Sequence, residues 1–470
     1  MIRWGSPRTL DVAAFFYFFA YSFAAWWPTR DLPYFWDAAG FIVPSARVML
    51  DTGFVPFVPA QEYYAHPPLF IALVAVAWKA FGATRVVAHA AVFPFLPITM
   101  AATYFLGTLL HGRLLGFAAA SLFGATALAL CELGQIYFDL PLAALLTAAL
   151  LAWVAERPLL AGSVFAVAAW TKLSGAAVPL ALAVPLALDP GRRKNPRYWI
   201  GIALPLAAVG GWLAYHHGVA GWWVSQADEL QLRPGAPVPL SRRALIFLRI
   251  VFLERFRWAL LVFAAAGAAI LWRRREPVLV RQLGPLGACF IGASALFVAS
   301  VFLPRYALCL FPVYYLAALL FLRRALDARW FALATVALFA AFMATWHPTI
   351  PPTADYEWSP NEDLSYLDMI RIGQDAASYL ERNEPSSEIY GGFHEHYQLA
   401  DPFMGYVTQP LDVHPCYRFE RHRSAQWVYL HRYEPEQPVC NLVVTKTGAH
   451  RVQRFESNGK WLEIWRVPPP

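Results

Sequence analysis

The chain has 470 residues, 58% of them hydrophobic and 15% charged, with a formal net charge of +7 at pH 7. Its mean hydropathy of +0.42 is too high for an ordinary soluble enzyme and fits a protein that crosses a membrane many times. Lys and Arg sit mostly in short loops between apolar runs, so the basic balance reads as the loop bias of a membrane protein and excludes a nucleic-acid surface.

A crossing needs about 20 mostly apolar residues. Taken in chain order, the apolar runs predict spans near 10–28, 86–110, 114–131, 140–156, 158–171, 175–189, 198–216, 256–272, 283–303, 306–322 and 330–346, about 11 transmembrane helices. The first run has no A-x-A-like exit site and is expected to stay as an uncleaved span. Arg113, Arg157, Arg192–Arg193–Lys194, Arg273–Arg274–Arg275 and Arg323–Arg324 then share one side with Arg3 and Arg8, which should be the cytoplasm. An odd span count puts 29–85, 132–139, 217–255 and the C-terminal tail on the opposite face. The apolar stretch within 66–82 is short for a crossing. If it crossed, the Arg clusters would flip outside, so it is expected to lie in or dip into the outer interface.

After Trp346 the composition changes. The expected organisation is a transmembrane domain over 1–346 with its first external loop at 29–85, a Pro-rich acidic linker over 347–363, and a small extracytoplasmic α/β domain over 364–470. In that tail "LSYLDMIRIGQDAASYLER" has helical spacing, while "EIYGGF", "AQWVYLHR", "CNLVVTKT" and "KWLEIWRV" read as strands. Cys416 and Cys440 fall in the compartment taken to be oxidising, where they either pair or stand as two small unpaired residues. His394 and His396 of "HEH" share a strand face, but no third metal ligand shows at a telling distance, so both are read as surface histidines.

The ionisable residues near the outer face are few: Asp37, Glu62, His66, Lys79, Glu132, Asp139, Lys172 and Arg305. Each alone reads as an interfacial anchor. As a set, two carboxylates (Asp37, Asp139) and two cations (Lys172, Arg305) at span ends on one face suit one task. The cations hold a lipid phosphate while a carboxylate activates a nucleophile.

Five segments carry a family resemblance. "FWDAAGFIVPSARVMLDTGFVPF" (35–57), "AHPPLFIALVAVAWKAFG" (65–82), "GQIYFDLPLAALLTAALLAW" (134–153), "AAWTKLSGAAVPLAL" (168–182) and "FLPRYALCLFPVYYLAAL" (302–319) stand in this order along the chain. Together they resemble the GT-C glycosyltransferases that use polyprenyl-phosphate sugars, nearest to the protein O-mannosyltransferase, lipid A aminoarabinose transferase and lipopolysaccharide-core groups. Asp37 is followed by Ala38 where such proteins often have Asp-Glu, and Gln135–Phe138 holds no Arg ahead of Asp139. The resemblance implies an α-helical, multi-pass GT-C fold in the inner or plasma membrane. It implies an inverting transfer from a polyprenyl-phosphate sugar to a hydroxyl on a lipid, glycan or protein acceptor in the cell envelope. Asp37 is the implied base. Lys172 and Arg305 hold the donor phosphate, His66 helps orient phosphate or sugar, and Asp139 positions the acceptor or keeps a basic neighbour oriented. No metal or cofactor is required by this scheme. The rival reading is a transporter, flippase or binding protein for lipid-linked sugars, which would place ionisable residues near mid-membrane and interrupt paired spans. "HHGVAGWWVSQADELQLRPG" (216–235), with Trp222, Trp223, Asp228 and Glu229, reads as an interfacial loop or a sugar-facing wall.

Overall fold

The first helix, α1 (Thr9–Trp26), buries Ala14, Phe18, Ser22 and Trp26, one residue in four, and leaves Phe15, Phe16, Phe19 and Phe23 exposed. A single buried stripe on a helix that is apolar all round is what a lipid-facing helix shows. In this computed structural model residues 9–55, 66–224, 239–273, 280–299, 304–346, 363–392, 395–416, 426–431 and 438–468 are described.

Ten helices continue the chain: α2 (Val43–Asp51), α3 (Leu69–Phe81), α4 (Arg85–Val92), α5 (Phe95–His111), α6 (Arg113–Gly124), α7 (Ala127–Leu133), α8 (Asp139–Val154), α9 (Pro158–Thr171), α10 (Ala177–Leu188) and α11 (Pro196–Ala220). Helices Arg257–Arg273, Val280–Ala299, Phe311–Ala325 and Ala328–Met343 complete the membrane part. α8 is buried on nearly every side, from Asp139 to Trp153, and is the central post of the bundle. α9 and α11 touch backbone to backbone: a Cβ on Gly162 would lie 2.5 Å from Gly201 Cα, and one on Gly201 would lie 2.4 Å from the Pro158 carbonyl oxygen. Small residues at such a crossing let dispersion act between helices where lipid removes the hydrophobic drive.

Helices stand where the eleven spans were expected, but the count of eleven is corrected. Among the described residues four helical stretches have the length and hydropathy of a crossing: Thr9–Thr29, Arg85–His111, Pro196–Ala220 and Arg305–Ala325. A fifth is added if α6 and α7, bent by 63° at their junction, count as one. The others expected as spans are apolar helices of 10–17 residues. The physical reason is length: these apolar runs end at charged residues such as Glu156, Lys172 and Asp189, short of the about 20 residues of a crossing. α3 is one of these short helices, at 13 residues.

The tail opens with helix Tyr366–Asn383 and continues into a five-stranded sheet of β1 (Glu388–Gly391), β2 (Asp412–Pro415), β3 (Trp427–His431), β4 (His450–Ser457) and β5 (Lys460–Arg466), ordered β2-β1-β3-β5-β4. β1 is parallel to β2 and β3, whereas β3–β5 and β4–β5 are antiparallel. The β4–β5 hairpin turns at Asn458–Gly459, both at positive φ, the pairing a two-residue turn favours. "EIYGGF", "AQWVYLHR" and "KWLEIWRV" supply β1, β3 and β5 as expected. "CNLVVTKT" is corrected: it lies in a helix, Pro438–Thr447. Its β-branched residues mimic a strand, but Pro438 opens the helix, and Cys440 and Val443 place an i, i+3 pair against Tyr390 and Val428 of the sheet. Cys416 and Cys440 are joined as a disulfide. His394 and the segments 225–238 and 347–362, with Asp228 and Glu229, lie outside the described residues. One apolar core runs from the bundle into the tail through Tyr366, Met369 and Ile370.

Candidate active site

Four chain segments far apart in sequence bring their ends together. Asp37 precedes the π-helical turn Ala38–Ile42, Asp139 opens α8, Lys172 follows the last residue of α9, and Arg305 sits in the 3-10 turn Pro304–Leu310. The Arg305 guanidinium donates to the Asp37 carboxylate and lies 3.3 Å from Asp139 Oδ2, while Lys172 Nζ donates to Asp139 Oδ1 at 2.6 Å. Two acids and two bases thus form one neutral cluster with low exposure. Such pairs are favourable only with good geometry and further support. Aromatic rings give part of it. Lys172 Nζ is 3.6 Å from the Tyr306 ring centroid, and the Arg305 guanidinium is 4.6 Å from that of Tyr137.

The members differ in access to solvent. The side chain of Asp37 is 28% exposed, against 4% for Asp139, 12% for Lys172 and 6% for Arg305. Asp37 is therefore the acid of the cluster most open to solvent. His66 stacks on Phe138 at 5.3 Å and lies 5.0 Å from the Phe41 ring, beside the cluster. Burial first, and the nearby Lys172 charge second, hold its imidazole down to about 4. At neutral pH it is an uncharged hydrogen-bonding group.

Of the eight outer ionisable residues, the five given roles, Asp37, His66, Asp139, Lys172 and Arg305, lie in one region. Lys79 does not; it is exposed and points over Phe54. Glu62 lies outside the described residues. Tyr137 and Tyr306 had no role in the sequence reading, although each lies within a quoted motif, beside Asp139 and Arg305. Glu132 is fully buried one turn ahead of Gln135, and neither carboxyl oxygen has a hydrogen-bond partner among the described residues. In the tail, β1 and β2 bring ligand atoms of Glu388, Asp412 and His414 within 4.8 Å of one another, a group with the donor types to hold a cation.

With this geometry in place, the fold can be assigned: the chain has the GT-C fold. Among solved structures it is similar to ArnT from Cupriavidus metallidurans in the apo state, with a TM-score of 0.60 at 16% identity over 98% of this chain and 100% of that one. The same ArnT bound to undecaprenyl phosphate gives 0.58 at 16% identity over 99% and 100%. The Archaeoglobus fulgidus oligosaccharyltransferase in its apo form gives 0.51 at 12% identity over 96% of this chain and 74% of that one. The sequence matches no protein-family model and no curated protein.

Proposed function

We propose that the protein is an integral membrane glycosyltransferase that moves a sugar from a polyprenyl phosphate to a hydroxyl acceptor on the extracytoplasmic face, in cell-envelope glycosylation. The observation that carries this reading is the ion cluster: Asp37, the most exposed of its four members, is tied to Arg305, which also reaches Asp139. ArnT, of like fold, was solved with undecaprenyl phosphate bound. That supports a lipid-phosphate donor here.

In the resting cluster each acid occupies a cation. An incoming donor phosphate competes with Asp37 for Arg305 and with Asp139 for Lys172. Once displaced, Asp37 is free to face the acceptor. The acceptor oxygen then attacks the anomeric carbon and its proton passes to Asp37. The bond from that carbon to the phosphate oxygen breaks, and its electron pair leaves on the phosphate, stabilised by Arg305 and Lys172. Arg305 grips the phosphate as a planar fork and Lys172 acts as a point charge. Asp139 keeps Lys172 and Arg305 oriented, and neutral His66 offers a hydrogen bond to phosphate or sugar. Attack opposite the leaving phosphate inverts the anomeric centre.

The reading places 1–346 as the catalytic membrane domain, 347–363 as a linker and 364–470 as an extracytoplasmic domain, with the N-terminus cytoplasmic. Up to eleven membrane passages fit it if the shorter apolar helices cross within the bundle, shielded from lipid. The test uses purified protein in detergent with a panel of radiolabelled polyprenyl-phosphate sugars and a membrane extract as acceptor. Sugar should leave the carrier with wild type, and Asp37→Asn should slow it by about 10²–10⁴-fold. Equal transfer by the two proteins overturns the role given to Asp37.

A further inference from the structure

The segment that delivers Asp37 is held from two sides. It runs Pro33–Tyr34–Phe35–Trp36, and Trp36 has a φ of 49°, a backbone state that a bulky residue keeps only when its surroundings impose it. From the bundle, the Tyr137 hydroxyl donates to the Phe35 carbonyl at 3.2 Å. From the tail, both peptide groups of Tyr34 are engaged. Its N–H donates to the Met404 carbonyl at 3.0 Å, and its carbonyl accepts from Gln398 Nε2 at 3.1 Å.

The grip is tight and dry. Gln398 and Met404 are buried, as is Tyr34. The Phe403 ring packs on Tyr34 at 5.6 Å and on Trp78 of α3 at 5.5 Å. Gly405, at φ 92°, lies so close to Pro33 that a Cβ there would be 3.2 Å from Pro33 Cα and 2.8 Å from Arg85 Nη1. Beyond the site, Asp401 accepts from Arg47 of α2, whose guanidinium also lies over Phe403. The tail thus contacts the chain both before Asp37 and after it.

We propose that the tail segment 395–405 is a template for the catalytic loop, with Gln398 as the positioning residue that fixes Asp37 through the peptide of Tyr34. The inference rests on the proposed role of Asp37. A base displaced by about 1 Å loses up to 10²-fold in rate without losing its substrate. The tail is therefore part of the catalytic unit.

The experiment compares wild type, Asp37→Asn, Gln398→Leu and Asp401→Asn in detergent. Gln398→Leu keeps the side chain's bulk and removes the donor to Tyr34. It should lower kcat by about 10–100-fold while the donor KM and undecaprenyl phosphate binding stay within twofold. It should also speed hydrogen exchange of residues 33–41, a readout that needs no activity. Asp401→Asn, at a partly exposed ion pair, should fold normally and show the same effects more weakly, so it decides the matter if Gln398→Leu does not fold. Wild-type kcat together with wild-type exchange in the folded variants overturns the inference. A Gln398→Leu protein that loses donor binding in step with kcat overturns it too, because that is general damage. Full transfer by Asp37→Asn instead overturns the base assignment and leaves the exchange result to judge the template.

Discussion

At the residue scale, the four charges of the cluster differ in their surroundings. Asp139 and Arg305 are almost shut off from water and hold each other in place, whereas Asp37 keeps a side open. His66 shows how burial sets charge. Its imidazole titrates at about 4 in the fold, below its usual 6.5, so the unfolded chain takes up that proton first. The sign follows: its contribution to stability is complete above pH 6.5 and is lost as pH falls through 6.5 towards 4. Melting curves over this range should show that loss, and His66→Asn should flatten it relative to wild type. Asp37, Asp139, Lys172 and Arg305 were legible in the sequence because ionisable residues at the ends of apolar runs are few. Their pairing was not, because 268 residues separate Arg305 from Asp37. Glu132 stood among the same outer charges, yet only packing shows that it is sealed from water.

At the element scale, helix contacts depend on missing side chains. The α9–α11 crossing closes at Gly162 and Gly201, where any Cβ meets backbone. Gly201→Val should therefore force the helices apart and cost about 1–3 kcal/mol or more, seen as a lower melting temperature and a poorer yield of folded protein. Gly211→Val, on the same helix but with nothing within 4 Å of its Cβ, is the matched control and should lose only a few tenths of a kcal/mol or nothing. The helix Pro438–Thr447 carries the complementary lesson. Its local pattern favours a strand, and the packing of Cys440 and Val443 under the sheet decides for a helix. The short spans have a plainer origin, since their apolar runs stop at charged residues such as Lys172 and Asp189 before reaching the length of a crossing.

At the scale of the whole molecule, the bundle and the tail share a core, and the tail's sheet carries its own covalent tie. The Cys416–Cys440 bond closes a loop of 24 residues, which restricts the unfolded chain by about 3 kcal/mol. The double variant Cys416→Ser with Cys440→Ser should lower tail stability by about that much, and limited proteolysis should cut the tail first. Because residues 395–405 touch the loop that bears Asp37, a loosened tail should also slow transfer before it releases the donor lipid. A disulfide-free protein with wild-type kcat and wild-type proteolytic resistance would contradict both expectations.

The sequence by itself determined the membrane class, the order of the helices and the residues able to carry charge chemistry. Those properties are local: hydropathy, Lys and Arg bias, and motif spacing are written along the chain. Only the tertiary structure decided which charge meets which, that Tyr137 and Tyr306 lie against the cations, and that "CNLVVTKT" is helical. It also decided that a Gln in the tail holds the peptide before Asp37. Those outcomes depend on contacts between residues tens to hundreds of positions apart, which no local pattern encodes.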